Sequence, residues 1–519
     1  MLDIDRPVSV NYEITAYNDI LKKRSPLLVF HRIKGYSDFE VVTNALGTPQ
    51  RLWFALGSKN EEEAEKTWEG LMKAKGVPAY SEDAPVKEVV QRGDAVDLFS
   101  IPILKHYPQD GTRSGHGRYI TGGAVVSKNP DTGTLNLSFT RIQAVSKNTY
   151  AFDCGSKGHL FSYLQKARKK GANAQISVVI GLHPLLYLLA ASFIEDEFSI
   201  AASRLPLTLT GGIENDLPVP AEAEIVIEAE ALADERGFDE GPFSEYTGYV
   251  GRDSTRNVAV VKAILRRKEA IYYDVQPSNS REHVALFTFP RHVKVKSAVR
   301  DFMPPISNYE ISWPEAASNY LSLASLDNPE PGLAKQLGLL LISLDPLFSK
   351  IVLVNEGKVQ LSLYAMLANI ANSYAHDASD LLKLKNVYCI GSNPTSRGST
   401  SGKLILTGKG RGEYELARRG DEVVITSKDG GGSVVISHGK INEGNVRITI
   451  PRGLRPDDED QLAWALATKV RPETDIAAHP GYLNIKAVRR VGETPKLPKA
   501  VIRRVLQALE SDHIDARMG

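Results

Sequence analysis

Cysteine is nearly absent from this chain: Cys154 and Cys389 are the only two among 519 residues. They stand far apart, which leaves no disulfide framework and no cysteine-based zinc site and fits a reducing cytoplasm. A dominant charge is missing too. Lys+Arg is 63 against 62 for Asp+Glu, so no global field favours nucleic acid or an anionic membrane. Met1-Leu2-Asp3-Ile4-Asp5 carries early acids and no apolar core, unlike a secretory signal. The one long uncharged run, 176–194, is broken by Gly181-Leu182-His183-Pro184. It reads as a buried strand, a turn and a buried helix opening at Pro184, not as a membrane span. No repeat or low-complexity tail stands out. What is there is an ordinary globular composition, 42% hydrophobic and 24% charged, at a length that holds two or three domains.

Residues 11–100 mix helical patterns (16–23 and 61–75) with strand patterns (27–32 and 40–44), which predicts a small α/β lead domain. From Arg118 the runs become short and β-rich: 119–126, 135–142, 176–180, 224–229, 259–265 and 270–275. Gly, Pro, Asn and Asp separate them, so an antiparallel barrel or sandwich is expected, interrupted by a helix over 159–169. Beyond about 300 the α/β pattern returns. A strand is expected at 351–354, helices at 361–373, 461–469 and 500–510, and strand-like sequence at 420–450. Residues 391–412 are rich in Gly, Ser and Lys and read as a loop.

The chemistry gathers in a few places. Glu240-Gly-Pro-Phe-Ser-Glu245-Tyr-Thr-Gly-Tyr249 holds two carboxylates five residues apart across a Gly-Pro turn, not on a solvated helix face. Two acids held close cannot both ionise comfortably without a cation, an arrangement that prepares one of them as a proton donor. In Asn136-Leu-Ser-Phe-Thr140-Arg141, strand alternation puts Asn136 and Arg141 on opposite faces unless the strand bulges or ends. Taken alone, Arg141 reads first as a rim residue in a salt bridge. Ser156-Lys-Gly158-His159 opens a helix. Ser156 is a candidate cap, and free N–H groups there favour a phosphate. His159 alone reads more readily as structural than as metal-binding. Glu195-Asp196-Glu197 is either a solvated corner or the source of a carboxylate that, beside Asn136 and His159, makes an O/N/O set suited to Mn²⁺ or Mg²⁺. Gly398-Ser-Thr-Ser-Gly402-Lys403 is one residue short of the Walker spacing and has Leu404 where Ser or Thr belongs. It is not a nucleotide-hydrolysing loop, though Lys403 remains a candidate phosphate ligand.

In this order, Asn136…Arg141, His159, an acid near 197 and the Glu240–Tyr249 segment resemble the UbiD-like decarboxylases, the family of ferulic acid decarboxylase and polyprenyl-hydroxybenzoate decarboxylase. Flanking segments agree: Gly35-Tyr36, Val42-Thr-Asn44-Ala-Leu-Gly47, Asn215-Asp216-Leu217-Pro218-Val219-Pro220-Ala221 and Glu282-His283. The resemblance runs from about residue 10 to 410. It implies a mixed α/β protein: an N-terminal α/β domain (1–110), a central split β-barrel binding prenylated FMN (111–305) and a C-terminal α/β oligomerisation domain (306–519). It also implies Mn²⁺ at the cofactor phosphate with K⁺ nearby. By motif position the metal ligands would be Asn136, His159 and Glu197, with Glu195 as a substitute for the last. Arg141, Glu240 and Glu245 would be the catalytic set. Asn136, Thr140, Arg141, Gly158, His159 and Lys403 would line the cofactor. Thr140 stands where the family has an aromatic residue, and the C-terminus is long, with an extra segment at about 412–519 or 357–455. The implied activity is reversible, non-oxidative decarboxylation of an aromatic, heteroaromatic or α,β-unsaturated acid; loops including 278–290 and the region after 385 are expected to line its pocket. A flavin prenyltransferase would supply the cofactor, and a homodimer or larger homo-oligomer would be the working form. A flavin-reductase-like FMN enzyme and a non-catalytic cofactor-binding subunit are the competing readings.

Overall fold

A computed structural model describes the chain except residues 114–115, 156–157, 235–237, 252–255, 304–307, 328, 377–379, 391, 513 and 515–519. Two compact units result. The first comprises Met1–Arg291 with Thr494–Gly519, the second His292–Glu493.

In the first unit, strands Leu2–Ile4, Leu28–Phe30, Phe39–Thr43 and Ala270–Asp274 form a four-stranded sheet, flanked in sequence by helices Glu13–Ile20, Pro49–Ala55 and Glu61–Leu71. Strand Ala270–Asp274 thus returns to the N-terminal sheet instead of ending the barrel series. The larger sheet has nine strands. Eight lie in the order Tyr119–Ile120, Arg141–Ser146, Thr149–Asp153, Asn257–Arg266, Ile225–Ala231, Ala174–Ile180, Gly123–Lys128 and Leu135–Phe139, and Val89–Arg92 pairs with Asn257–Arg266. Leu135–Phe139 and Arg141–Ser146 stand towards opposite ends of that order, yet only Thr140 separates them. Two residues apart in sequence means Cα atoms no more than about 7 Å apart. The sheet must therefore bend its ends together, and it curls into a half-barrel. Leu137, Ile142, Val178 and Ile227 on its strands are all fully buried.

The predicted helix over 159–169 is observed as His159–Lys169, and the uncharged run splits into strand Ala174–Ile180 and helix Pro184–Ala190. Among the described residues no helix is long and apolar enough to cross a membrane. One expectation needs correcting: beyond Ser280 the stretch 278–290 is not a loop, because Arg281–Phe302 is a helix.

The second unit holds a five-stranded sheet, ordered Asn308–Ser312, Leu321–Asp327, Ile351–Glu356, Thr400–Lys409 and Asp380–Tyr388. Leu321–Asp327, Ile351–Glu356 and Thr400–Lys409 run parallel. A six-stranded sheet follows, built from residues 414–449 and 476–486. The Gly/Ser-rich stretch is therefore not all loop, since residues 400–409 form a largely buried strand whose side chains fill both faces.

Candidate active site

Thr140 decides where Arg141 points. The Asn136 strand ends at Phe139 and a new strand begins at Arg141, so alternation does not carry across the break. Thr140 is buried, and its hydroxyl donates to the backbone oxygen of Asp153. Arg141 is the direct cross-strand partner of Asp153.

The guanidinium of Arg141 meets three acids. Its Nε donates to Glu240 Oε1 at 3.0 Å and its Nη2 to Glu240 Oε2 at 2.8 Å, a two-pronged contact. Its Nη1 donates to Glu245 Oε1. Asp153 Oδ2 lies 3.5 Å from Nη2. The Phe243 ring stands 5.5 Å from the guanidinium carbon. Burial disfavours the charge on Arg141, but Glu245, Glu240 and Asp153 outweigh it and hold the group protonated. Glu240 is fully buried, and burial raises its pKa while Arg141 opposes the rise. Glu245 keeps a side-chain exposure of 21%, and burial pushes its pKa up to about 7, with Arg141 opposing and Asp153 and Glu240 adding to the rise. A carboxyl raised in this way holds its proton closer to neutral pH than an ordinary one, which suits a proton donor.

The turn carrying the two glutamates is held from three sides. Gly241 N–H donates to Gln143 Oε1 at 3.0 Å. Gly111 N–H donates to the Pro242 carbonyl at 2.8 Å. The backbone N–H and hydroxyl of Ser244 donate to Asp110 Oδ1 at 2.9 and 2.8 Å. A short hairpin, Phe243–Ser244 with Val250–Gly251, follows. A Cβ on Gly251 would lie 2.7 Å from Glu245 Cγ and 3.0 Å from Oε1, so the missing side chain leaves room for the carboxylate.

A second cluster is built on the Asn136 strand. His159 Nδ1 lies 3.1 Å from Asn136 Oδ1, and Glu197 Oε2 accepts from the Leu137 N–H at 2.9 Å. Glu197 is 1% exposed, and burial pushes its pKa up to about 8. Its Oε1 and the Asn136 Nδ2 have no hydrogen-bond partner among the described residues. Buried polar atoms left unpaired are costly, and a cation beside the carboxylate removes that cost. Glu195 is exposed, and its Oε1 accepts from the Tyr163 hydroxyl at 2.6 Å. Gly158 is the N-cap of helix His159–Lys169, and among the described residues no side chain caps it. Ser156, the expected cap, lies outside the described residues. No group of three or more His, Cys, Asp and Glu among the described residues is placed to hold a metal. The Asn136, His159 and Glu197 trio contains only two such residues.

Lys403 belongs to the second unit. It sits in strand Thr400–Lys409, fully buried, and its Nζ donates to the carbonyls of Pro346, at 2.9 Å, and Ser349. Those carbonyls satisfy the ammonium within its own unit. Sequence reasoning missed Asp153, Gln143, Asp110 and Gly251. A recognised hairpin over 141–153 would have found Asp153, since its register pairs that residue with Arg141.

A half-barrel carrying an Arg-Glu-Glu set beside an Asn-His-Glu cluster can be compared with known proteins. The profile of the 3-octaprenyl-4-hydroxybenzoate carboxy-lyase Rift-related domain matches residues 78–280, and that of the same enzyme's N-terminal domain matches residues 1–71. An uncharacterised Aquifex aeolicus protein is 32% identical over 301 residues, 52% of this chain and 60% of that protein. Anhydromevalonate phosphate decarboxylase of Methanothermobacter thermautotrophicus is 26% identical over 367 residues, 68% of this chain and 81% of that one. Among solved structures, the UbiD-class enzyme HmfF from Pelotomaculum thermopropionicum, in complex with FMN, has a TM-score of 0.70 at 26% identity, over 79% of this chain and 90% of that chain. An evolved dimeric form of HmfF in complex with prFMN has a TM-score of 0.68 at 24% identity, over 81% and 94%. The chain belongs to the UbiD family of carboxy-lyases.

Proposed function

We propose that this protein removes CO₂ from an aromatic, heteroaromatic or α,β-unsaturated carboxylic acid, using prenylated FMN. The observation that carries the reading is Arg141, gripped by Glu240 and touching a Glu245 whose pKa is raised to about 7. When bound, the modified flavin supplies the electron sink that a departing CO₂ requires. Arg141 offers Nη1 to the substrate carboxylate while Glu240 keeps Nε and Nη2, so the guanidinium stays oriented during the exchange. Glu245 carries the proton that replaces CO₂ on carbon. Glu240 supports this by compensating the Arg141 charge and leaving Glu245 free to protonate.

The Asn136, His159 and Glu197 cluster fits a divalent cation, because it combines a buried carboxylate with an unpaired oxygen and two further donors. Such an O/N/O set favours Mn²⁺ or Mg²⁺ over zinc. The start of helix His159–Lys169, at Gly158, suits the cofactor phosphate. Glu197 is the better metal ligand, since the Tyr163 hydroxyl already engages Glu195. K⁺ has no residue assigned to it. A flavin prenyltransferase as cofactor source and a homo-oligomeric state accompany this reading.

Co-expression with a flavin prenyltransferase tests it. The purified protein should show a modified-flavin absorbance spectrum and release CO₂ from members of a panel of aromatic and unsaturated acids. Glu245→Gln should lower turnover by about 10²-fold or more. A protein that takes up no modified flavin, or a Glu245→Gln variant with wild-type turnover, would falsify the reading.

A further inference from the structure

Three consecutive residues of the site face alternate ways. The Phe243 ring stands 5.5 Å from the Arg141 guanidinium carbon, and Glu245 meets the same guanidinium through Oε1. Ser244, between them, turns its hydroxyl to Asp110 Oδ1 at 2.8 Å. That is the alternation of an extended backbone, in which side chains i and i+2 share a face. Fixing the Ser244 side chain therefore aims its neighbour, Glu245, at Arg141.

One carboxylate grips Ser244 at two atoms. The Ser244 backbone N–H donates to Asp110 Oδ1 at 2.9 Å beside the hydroxyl bond, and the Tyr107 N–H donates to Asp110 Oδ2 at 3.1 Å. Asp110 is 1% exposed and Ser244 0%. A carboxylate buried that deeply costs stability unless its oxygens are hydrogen-bonded, and bonds to a charged acceptor are the stronger kind. The Ser278 N–H donates to the Ser244 carbonyl at 3.0 Å, which holds the backbone oxygen but neither donor that Asp110 engages. The segment presenting Asp110 is itself anchored. The Lys105 N–H donates to the Val10 carbonyl and the Tyr12 N–H to the Lys105 carbonyl, both at 2.9 Å. His106 Nε2 lies 2.9 Å from Asp274 Oδ1, and the Tyr107 hydroxyl donates to Asp19 Oδ1 at 3.1 Å. Asp110 thus ties the hairpin to strand Ala270–Asp274 and helix Glu13–Ile20.

We infer that Asp110 is a positioning residue for Glu245, acting through Ser244 to keep the Glu245 carboxyl aimed into the site. The inference rests on the proposed role of Glu245 as proton donor. Arg141 is oriented by other contacts. Glu240 grips its guanidinium with two prongs, and the turn before Ser244 is bound separately, by Gly241 to Gln143 and by Gly111 to the Pro242 carbonyl. Loss of the Asp110 grip therefore falls on proton transfer and spares the binding of a substrate carboxylate.

Two substitutions in the full chain test it. Asp110→Ala removes the acceptor of both Ser244 donors, whereas Asp110→Asn keeps an amide oxygen for them. Hydrogen exchange read by mass spectrometry needs no cofactor. Amides of 243–251 should exchange about tenfold faster in Asp110→Ala and at close to the wild-type rate in Asp110→Asn. Turnover of the panel acids that the loaded wild type decarboxylates gives the second readout. Asp110→Ala should lower kcat about 10- to 100-fold with KM within about threefold of wild type, and Asp110→Asn should bring kcat back to within about threefold. Unchanged exchange over 243–251 or unchanged kcat in Asp110→Ala overturns the inference. So does a loss confined to KM, or an Asp110→Asn kcat as low as that of Asp110→Ala. If Asp110→Ala does not fold, Ser244→Ala reads the same grip: a kcat lowered about threefold or more supports it, and an unchanged kcat overturns it. A Glu245→Gln protein with wild-type turnover sinks the donor role itself and the inference with it, whatever the exchange shows.

Discussion

Glu197 carries a carboxylate that is almost fully buried and has one oxygen without a donor among the described residues. Its pKa in the folded chain, about 8, lies above the ordinary 4.5. A raised carboxyl stabilises the fold at low pH, and that contribution is lost as pH rises from about 5 through 8. The melting temperature of the metal-free protein should therefore fall across that range. Mn²⁺ should flatten the slope and raise stability by about 2.7 kcal/mol at a hundredfold excess over its Kd. Glu197→Gln should abolish the metal response, and a variant that Mn²⁺ stabilises as much as wild type would remove Glu197 from the site. Gly251 makes a different point. Its backbone needs no glycine conformation, but a Cβ would press on Glu245. Gly251→Ala should lower kcat by about 10- to 100-fold through misplacement of the proton donor, at a stability cost of about 1–2 kcal/mol. Parallel melting and turnover measurements separate the two effects, and unchanged kcat would mean that the carboxylate has room to shift.

Among the elements, the link at Thr140 carries the most information. The strand-like run over 135–142 was legible as one piece, and its alternation left the relation of Asn136 to Arg141 open. Tertiary structure breaks the run at Thr140 because the two halves pair at opposite ends of the curled sheet. Inserting one glycine after Thr140 should shift Arg141 out of register with Asp153 and cost more than about 10²-fold in activity. Far-UV circular dichroism should be little changed, and full activity would show that the register is not what places Arg141. Helix His159–Lys169 was readable from its amphipathic pattern, whereas Thr400–Lys409 was not. A parallel strand buried on both faces shows no alternation, and its Ser, Gly and Lys residues resemble a loop. Lys403 fits that strand because carbonyls of Pro346 and Ser349 receive its ammonium.

At the scale of the whole molecule, the chain leaves the first unit and comes back to it. Helix Lys499–Ser511 packs on helix Glu13–Ile20 with Val505, Ala508 and Leu509 buried. Arg504 Nη1 donates to Glu13 Oε1 at 2.8 Å. Glu13 is buried, but Arg504 is 61% exposed, so that pair is worth at most about 1 kcal/mol. The apolar face does the holding. Leu509→Ala should cost about 2–5 kcal/mol and Arg504→Ala far less, as read from chemical denaturation. The reverse order would mean that charge, not burial, secures the C-terminal return. The sequence by itself determined the family, the chemical types at the site and elements such as helices His159–Lys169 and Leu363–Ala375, because motif order and local periodicity are properties of the chain. Only the tertiary structure decided which acids meet Arg141, where the Asn136 strand ends and where the last helix docks. Each of these depends on pairing between residues far apart in sequence, and no local pattern encodes which distant strand or helix will supply the partner.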